Sequence, residues 1–199
     1  VMFLHGGFAF GPSDYTMATP HLAAGYAICT PILRAENGQA GHFSLFYNEV
    51  DDVIAATEFM KAQTYIDPDH IYLAGHSVGG TMTMLTGMAS TNYRALAPIS
   101  GSPDQILFTA GGTREAPFDS RDAAEFEMRS PLSFAASFKA PARLFYGTEE
   151  AFFRTTTQRT AQLAQAAGLD VQAVEVPGNH FSAVSGAIAQ SIELFRANA

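Results

Sequence analysis

The chain has 199 residues, of which 47% are hydrophobic and 15% are charged, and this composition fits one globular domain and excludes a disordered chain. Its net charge of −8 argues against nucleic acid or an anionic membrane surface as a partner, because both require a basic surface. The single cysteine, Cys29, excludes an internal disulfide and any cysteine-based metal cluster.

The chain begins with an apolar run, residues 1–4, that is typical of a buried strand and lacks an initiator methionine. Because domains rarely begin inside their own core, we expect further sequence upstream of Val1. No apolar run approaches the roughly 18 residues of a membrane span, and no signal peptide is visible. Together with the single cysteine, this favours a cytoplasmic location, a question that the upstream sequence would decide.

Apolar and β-branched runs alternate with segments of helical period. The predicted strands are residues 1–4, 26–33, 71–74, 95–100, 142–146 and 171–176. The predicted helices are residues 48–63, 155–167 and 182–197, with another directly after the third strand. This alternation predicts an α/β domain with a mostly parallel, doubly wound sheet and helices on both faces.

Residues 102–138 interrupt the alternation. The segment lacks a clean period and contains Pro103, Pro117 and Pro131 among clustered charges. Long irregular segments within compact domains are usually functional, so we predict a small cap-like insertion at the carboxyl edge of the sheet. Since the chain has no internal repeat and no linker, residues 1–199 are predicted to form a single domain.

The stretch GHSVGG, residues 75–80, places a serine between glycines where a predicted strand becomes a helix. It fits the nucleophile-elbow pattern G-x-S-x-G, in which the glycines relieve crowding and the turn lifts the hydroxyl of Ser77 above the strand end. The same turn leaves the N–H of Val78 unpaired at the start of the helix. Glycine-rich turns with serine also occur by chance, but the strand before and the helix after favour a catalytic serine.

A serine hydroxyl needs a base, and the base needs an acid that orients it. His180, after the last predicted strand, is the candidate base, and the alternative is a turn residue that caps the final helix. The candidate acids, Glu149 and Glu150, follow the preceding strand; Glu150 is preferred and Glu149 is the alternative acid. The order serine, acid, histidine is the one expected for an elbow on this type of sheet.

The turn FLHGGF, residues 3–8, follows the first predicted strand and allows a close backbone approach. We predict that the N–H groups of Gly7 and Val78 form an oxyanion hole, because such a hole is typically completed by a loop after an early strand. A plain glycine turn is the alternative.

With these residues in place, the chain resembles the α/β-hydrolase superfamily and, more narrowly, the catalytic domain of the prolyl oligopeptidase family of serine peptidases and related esterases. The motifs that carry the resemblance are FLHGG, PILRAENGQAG, NEVDDVIAATEFM, YIDPDHIYLAGHSVGG, PARLFYGTEE and PGNHF. The resemblance implies an eight-stranded, mostly parallel sheet with Ser77, an acid and His180 as a catalytic triad.

The chain departs from the family pattern in three ways. A glutamate serves where the family usually has aspartate, and Phe8 stands where the lipase-type motif has a third glycine. The first predicted strand corresponds to the third strand of the family sheet, so the α/β-hydrolase fold is expected here without its first two strands. Residues 26–33 would then form an exposed, hydrophobic sheet edge through which copies of the chain could associate.

Two smaller expectations concern the loops near the predicted site. Arg34 and Glu36 are expected to form a structural ion pair, and contact with substrate is the alternative. Four aromatic residues are placed to line an acyl pocket, namely Phe8, Phe10, Phe108 and Phe118.

The sequence therefore predicts a serine hydrolase that cleaves ester or amide bonds through an acyl-enzyme intermediate. No zinc, P-loop or dinucleotide motif is present, so no metal or other cofactor is expected. The expected partner is a small ester or a peptide substrate. The alternative function is a catalytically silent α/β-hydrolase scaffold used for binding or assembly.

Overall fold

The computed structural model describes residues 1–110 and 116–199 and contains a five-stranded parallel sheet. The strands are β1 (Met2–Leu4), β2 (Tyr72–His76), β3 (Ala95–Ile99), β4 (Ala142–Gly147) and β5 (Val171–Val176). They lie side by side in chain order, and each pairs in parallel with the next. All carboxyl ends of the strands therefore lie at one edge of the sheet.

Seven α-helices lie within the described ranges, and a 3-10 helix spans Pro131–Ser137. The α-helices are α1 (Pro12–Ala23), α2 (Glu49–Lys61), α3 (Val78–Ala89), α4 (Gln105–Ala110), α5 (Ala123–Met128), α6 (Ala151–Ala166) and α7 (Val184–Ala197).

The helices cover both faces of the sheet because the buried strand residues alternate in direction. In β2, Leu73 packs into the core shared with α2, α3 and α6, whereas Tyr72 and Ala74 pack into the core shared with α1 and α7. This arrangement confirms the predicted parallel α/β sheet with helices on both faces.

The predicted strand at residues 26–33 was wrong in its extent. Only Cys29 forms a β-bridge with the sheet: its N–H donates to the carbonyl of Val1, and its own carbonyl accepts from the N–H of Phe3. The carbonyl of Ala27 accepts from the terminal amine of Val1. Pro31 has no N–H to continue such a ladder, which explains the early end. Nearby Ile32 is 41% exposed, and self-association through this edge stays a prediction.

Helix α1 was not predicted, because Pro20 and His21 lie within it and disturb its apolar period. In the segment 102–138 the structure places α4, α5 and the 3-10 helix, and the N–H of Leu132 donates to the carbonyl of Pro103. Residues 111–115 of this segment lie outside the described residues. The cap-like role of the segment and the single-domain organisation stay predictions.

Among the helices of the described part of the chain, none has the length and apolar character needed to cross a membrane.

His21 joins α1 to α7 in the interior and should make the protein acid-sensitive. Its ring nitrogens lie 3.2 Å from the carbonyl oxygen of Ala18 and 3.0 Å from Ser191 Oγ. Burial lowers the pKa of His21 from 6.5 to about 4. Since the unfolded chain then binds the proton more tightly, this contribution to stability is present above pH 6.5 and is lost as the pH falls towards 4.

We expect wild type to lose about 3 kcal/mol more of its unfolding free energy than His21→Gln between neutral pH and pH 4. Urea titrations at each pH measure this loss. His42→Gln, at an exposed position, is the control and should follow wild type. Equal acid losses in wild type and His21→Gln would contradict the prediction.

Candidate active site

The turn between β2 and α3 holds Ser77 at φ 58° and ψ −116°, a conformation that is unfavourable for a residue with a side chain. The N–H of Ser77 donates to the carbonyl of Ile99 at 2.8 Å, which anchors the turn to β3. A Cβ on Gly79 would lie 2.1 Å from the carbonyl oxygen of Leu4, and one on Gly75 would lie 2.5 Å from that of Gly79. Both glycines are therefore required by close backbone packing.

Three side chains meet at the carboxyl edge of the sheet, where β2, β4 and β5 end. The Ser77 hydroxyl lies 2.9 Å from His180 Nε2, and Nδ1 of the same ring lies 2.6 Å from Glu150 Oε1. A carboxylate accepts the Nδ1 proton, which leaves Nε2 free to accept from the serine hydroxyl. The structure thus brings together the three residues that were predicted from distant parts of the sequence.

The carboxylate of Glu150 is buried and accepts two hydrogen bonds besides that of His180. Its Oε2 accepts from Ser100 Oγ and from the N–H of Gly147, each at 2.6 Å. Burial alone would raise the pKa of Glu150, but the hydrogen bonds from His180, Ser100 and Gly147 outweigh it and lower the pKa. The carboxylate is therefore held in its charged form.

Ser100 was not singled out in the sequence. It directly follows β3, which lies between β2 and β4, the strands that precede Ser77 and Glu150. It is buried at φ 50°, and its N–H donates to the carbonyl of Phe145. Only the order of strands in the sheet could have pointed to it.

The alternative acid, Glu149, is exposed and lies outside this network. Its backbone N–H donates to the carbonyl of Gly178 at 3.0 Å, and the N–H of Gly178 donates to Thr148 Oγ1 at 3.0 Å. These bonds join the loop that carries Glu150 to the loop that carries His180. The geometry therefore favours Glu150 as the acid, whereas Glu149 helps to join the two loops through its backbone N–H.

The loop of His180 is also held by a residue that sequence reasoning set aside. The Nε2–H of His76, the residue before Ser77, donates to the carbonyl of His180 at 2.7 Å. Burial lowers the pKa of His76, against the opposing effect of this hydrogen bond. On the other side, the ring of Phe153 stacks on that of His180 with centroids 5.6 Å apart.

Of the two predicted oxyanion donors, Val78 directly follows Ser77, and Gly7 directly follows Gly6, which packs against the serine turn. Gly7 is exposed at φ 66°, and a Cβ on the adjacent Gly6 would lie 3.6 Å from Ser77 Cβ. The N–H of Gly6 already donates to Asp14 Oδ1 at 3.3 Å, so the next N–H is the better candidate. Val78 is the first residue of α3, and its N–H therefore lacks a partner within the helix.

The expected Arg34–Glu36 pair was wrong, because both residues have other partners. Arg34 donates two hydrogen bonds to the carboxylate of Asp52, at the start of α2. Glu36 is buried and lies 2.9 Å from Nε2 of His5, in the turn that precedes Gly7. Burial would lower the pKa of His5, but its hydrogen bond to Glu36 and the nearby charges raise it. The pair thus fastens the glycine turn to the 33–38 loop.

The four aromatic residues expected in an acyl pocket do not share one set of ring contacts, and Phe10 lies edge-on to the ring of His5 with centroids 5.8 Å apart. Phe8, directly after Gly7, and Phe108 both pack against Phe46, with centroids 6.2 Å and 5.9 Å away. Phe118 instead lies under the guanidinium of Arg129, whose Cζ is 4.1 Å from the centroid of the Phe118 ring. An apolar cluster thus adjoins the glycine turn, but it does not contain all four predicted residues.

Within the described residues, no group of three or more His, Cys, Asp or Glu side chains could hold a metal ion.

The parallel sheet, the strained serine turn and the loops after β4 and β5 define a protein of the α/β-hydrolase fold. Known structures share this fold: a Pyrococcus horikoshii acylaminoacyl peptidase superposes with a TM-score of 0.74 at 21% identity, covering 98% of this chain and 35% of that one. The chain belongs to the prolyl oligopeptidase family, whose sequence model matches residues 25–183.

Two further structures are similar. A hormone-sensitive lipase from a metagenome library gives a TM-score of 0.75 at 21% identity over 100% of this chain and 77% of that one. Porphyromonas gingivalis dipeptidyl peptidase 4 gives a TM-score of 0.79 at 16% identity over 100% of this chain and 31% of that one. The chain spans about a third of the length of the acylaminoacyl peptidase. No curated protein matches the chain in sequence.

Proposed function

We propose that the protein is a serine hydrolase of the carboxylesterase or peptidase type, with Ser77 as nucleophile, His180 as base and Glu150 as orienting acid. The observation that carries the proposal is the continuous hydrogen-bonded chain from Ser77 Oγ through the imidazole to the carboxylate, at 2.9 Å and 2.6 Å. Membership of the prolyl oligopeptidase family supports it.

In the acylation step, His180 Nε2 takes the hydroxyl proton while Ser77 Oγ bonds to the substrate carbonyl carbon. The carbonyl oxygen becomes an oxyanion, which the N–H groups of Gly7 and Val78 stabilise. Each donor in such a hole is worth roughly 3–4 kcal/mol. The imidazolium then protonates the leaving alcohol or amine as its bond to the carbonyl carbon breaks.

Deacylation repeats the sequence with water, which gives its proton to His180 and releases the carboxylic acid product. Glu150 holds the ring in the required tautomer and stabilises the imidazolium in both halves. Because its pKa is lowered, the carboxylate remains charged while the imidazole cycles between its two states.

Covalent labelling tests the proposal directly. A fluorophosphonate probe should modify folded protein at Ser77, and digestion followed by mass spectrometry of the peptides identifies the modified residue. Folded protein that remains unlabelled would contradict the proposal and support the alternative of a scaffold used for binding or assembly.

The substrate class is a further part of the proposal. The apolar cluster beside Gly7, which includes Phe8, Phe46 and Phe108, supports small esters with apolar acyl groups. The comparison with an acylaminoacyl peptidase supports peptide or acylaminoacyl substrates instead. We favour the esters, because the aromatic cluster belongs to this chain.

We expect kcat/KM for p-nitrophenyl butyrate to exceed that for the acetate by roughly tenfold, since two more methylenes are buried. Parallel assays with aminoacyl p-nitroanilides measure the competing class. A higher kcat/KM for the anilides than for both esters would assign the protein to the peptidases and overturn the preference for esters.

A further inference from the structure

Two phenylalanines beside the proposed base are exposed to a degree that is unusual for this side chain. Phe181, directly after His180, is 73% exposed, and Phe152, in the first turn of α6, is 50% exposed. Phenylalanine is among the residues most often buried. Phe181 contacts the imidazole directly and Phe152 contacts it through Phe153, which makes both side chains candidates for contact with substrate.

The position of Phe181 is fixed by a tight turn. Asn179 Oδ1 accepts from the N–H of Phe181 and from that of Ser182, each at 3.0 Å. In return, the N–H of Asn179 donates to Ser182 Oγ at 2.8 Å. The backbone that carries the exposed ring is therefore held by three hydrogen bonds.

The aromatic rings surround the imidazole of His180. Phe181 meets it edge-on, with centroids 5.2 Å apart and planes at 83°, and also lies 5.8 Å from the ring of His76. Phe153 stacks on the imidazole, and Phe152 packs edge-on against Phe153 at 5.1 Å. The imidazole therefore contacts the exposed ring of Phe181 edge-on and the ring of Phe153 by stacking.

The chemistry of acyl transfer separates the two halves of the substrate. The leaving atom must take its proton from Nε2 of His180, so the leaving group lies beside the residues that surround this imidazole. The acyl group stays on Ser77, next to the glycine turn and the cluster of Phe8. The rings around His180 are therefore placed to contact the half of the substrate that departs.

We propose that Phe181, with Phe152 and Phe153, forms a leaving-group platform that selects esters or amides with an aromatic leaving group. The inference rests on the proposed function and deepens it. Aromatic rings pair favourably edge-to-face or offset, so an exposed ring at this place can pair with an aromatic ring of the substrate. Phe181 acts as a specificity-determining residue, and the platform is separate from the acyl-side cluster.

The test compares benzyl acetate with methyl acetate, whose alcohols have similar acidity and whose acyl-enzymes are identical. Phe181→Ala should lower kcat/KM for benzyl acetate by about 3- to 10-fold relative to methyl acetate. The ratio between the two esters is the readout, because both esters acylate Ser77 with the same acetyl group. Phe181→Tyr keeps the ring and should retain the preference.

The matched control is Phe59→Ala, which removes a 70% exposed phenylalanine from α2 and should leave the ratio of the two esters unchanged. Equal losses on both esters in Phe181→Ala would mean that the ring only shields the His180–Glu150 contact, and the platform would be rejected. Unchanged kcat/KM for both esters in Phe181→Ala would reject it as well.

A binding experiment separates this inference from the proposed function. Benzyl alcohol is titrated into Ser77→Ala, and changes in NMR chemical shift measure its binding. Adding Phe181→Ala should weaken this binding about 3- to 10-fold, whether or not the wild type hydrolyses any ester. Undiminished binding in the double variant would overturn the platform. A wild type that hydrolyses neither ester, with binding still dependent on Phe181, would instead overturn only the proposed reaction.

Discussion

Ser77→Ala is expected to lower kcat for ester hydrolysis on the order of 10⁴- to 10⁶-fold while the protein stays folded. The substitution removes the oxygen that bonds to the substrate carbonyl carbon in the proposed reaction, and His180 Nε2 loses its partner at 2.9 Å. Alanine meets the same strain at φ 58° that serine does, so the turn itself is not changed. Hydrolysis of p-nitrophenyl acetate and thermal unfolding measure the two effects.

The control for this variant is Ser133→Ala, which removes an exposed hydroxyl within the segment 102–138. It should hydrolyse the ester at the parental rate and unfold at the parental temperature. Hydrolysis by Ser77→Ala at the parental rate would show that this residue is not the nucleophile.

Glu150→Gln is expected to lower kcat by about 10³- to 10⁴-fold, and Glu149→Gln by less than about twofold. The amide has nearly the same shape as the carboxylate but no charge to stabilise the imidazolium. Its NH₂ group cannot accept a hydrogen bond, so it must replace either the oxygen that faces His180 Nδ1 or the one that accepts from Ser100 and Gly147. The neighbouring carboxylate is exposed and does not touch the imidazole, so it provides a matched control one residue away. A large loss in Glu149→Gln, with little in Glu150→Gln, would reverse the assignment.

The same pair of variants should differ in their response to acid. Since the folded-state pKa of Glu150 is lowered below 4.5, its contribution to stability is present above that pH and is lost as the pH falls through the folded value. Wild type and Glu149→Gln should share this loss below about pH 4.5, and Glu150→Gln should lack it. Urea unfolding across this range measures the difference.

The sequence was sufficient where the signal is local or follows from the parallel sheet. The elbow at Ser77 is marked by glycines that close packing requires, and His180 follows a clearly apolar strand. Since parallel strands end at one edge, residues placed after different strands are expected to meet there. The serine, the histidine and the two candidate acids could therefore be selected without coordinates.

Other features depend on contacts between residues that are far apart in the chain. Ser100 reaches Glu150 across two adjacent strands, and the ring of His76 reaches the backbone of His180. His5 pairs with Glu36, where the sequence suggested Arg34 instead. The local sequence pattern does not predict such partners, because they depend on the order of the strands in the sheet and on the path of each loop.

By itself, then, the sequence determined the parallel α/β architecture and the residues available for the site, since apolar periodicity and glycine spacing are local properties. Only the tertiary structure decided which glutamate faces the imidazole, how far residues 26–33 pair with the sheet, and which ring stands exposed beside His180. The physical reason is that the role of a carboxylate depends on the hydrogen-bond donors that other strands bring to it, and the exposure of a ring depends on which segments pack over it. Those donors take their places only when the chain is folded.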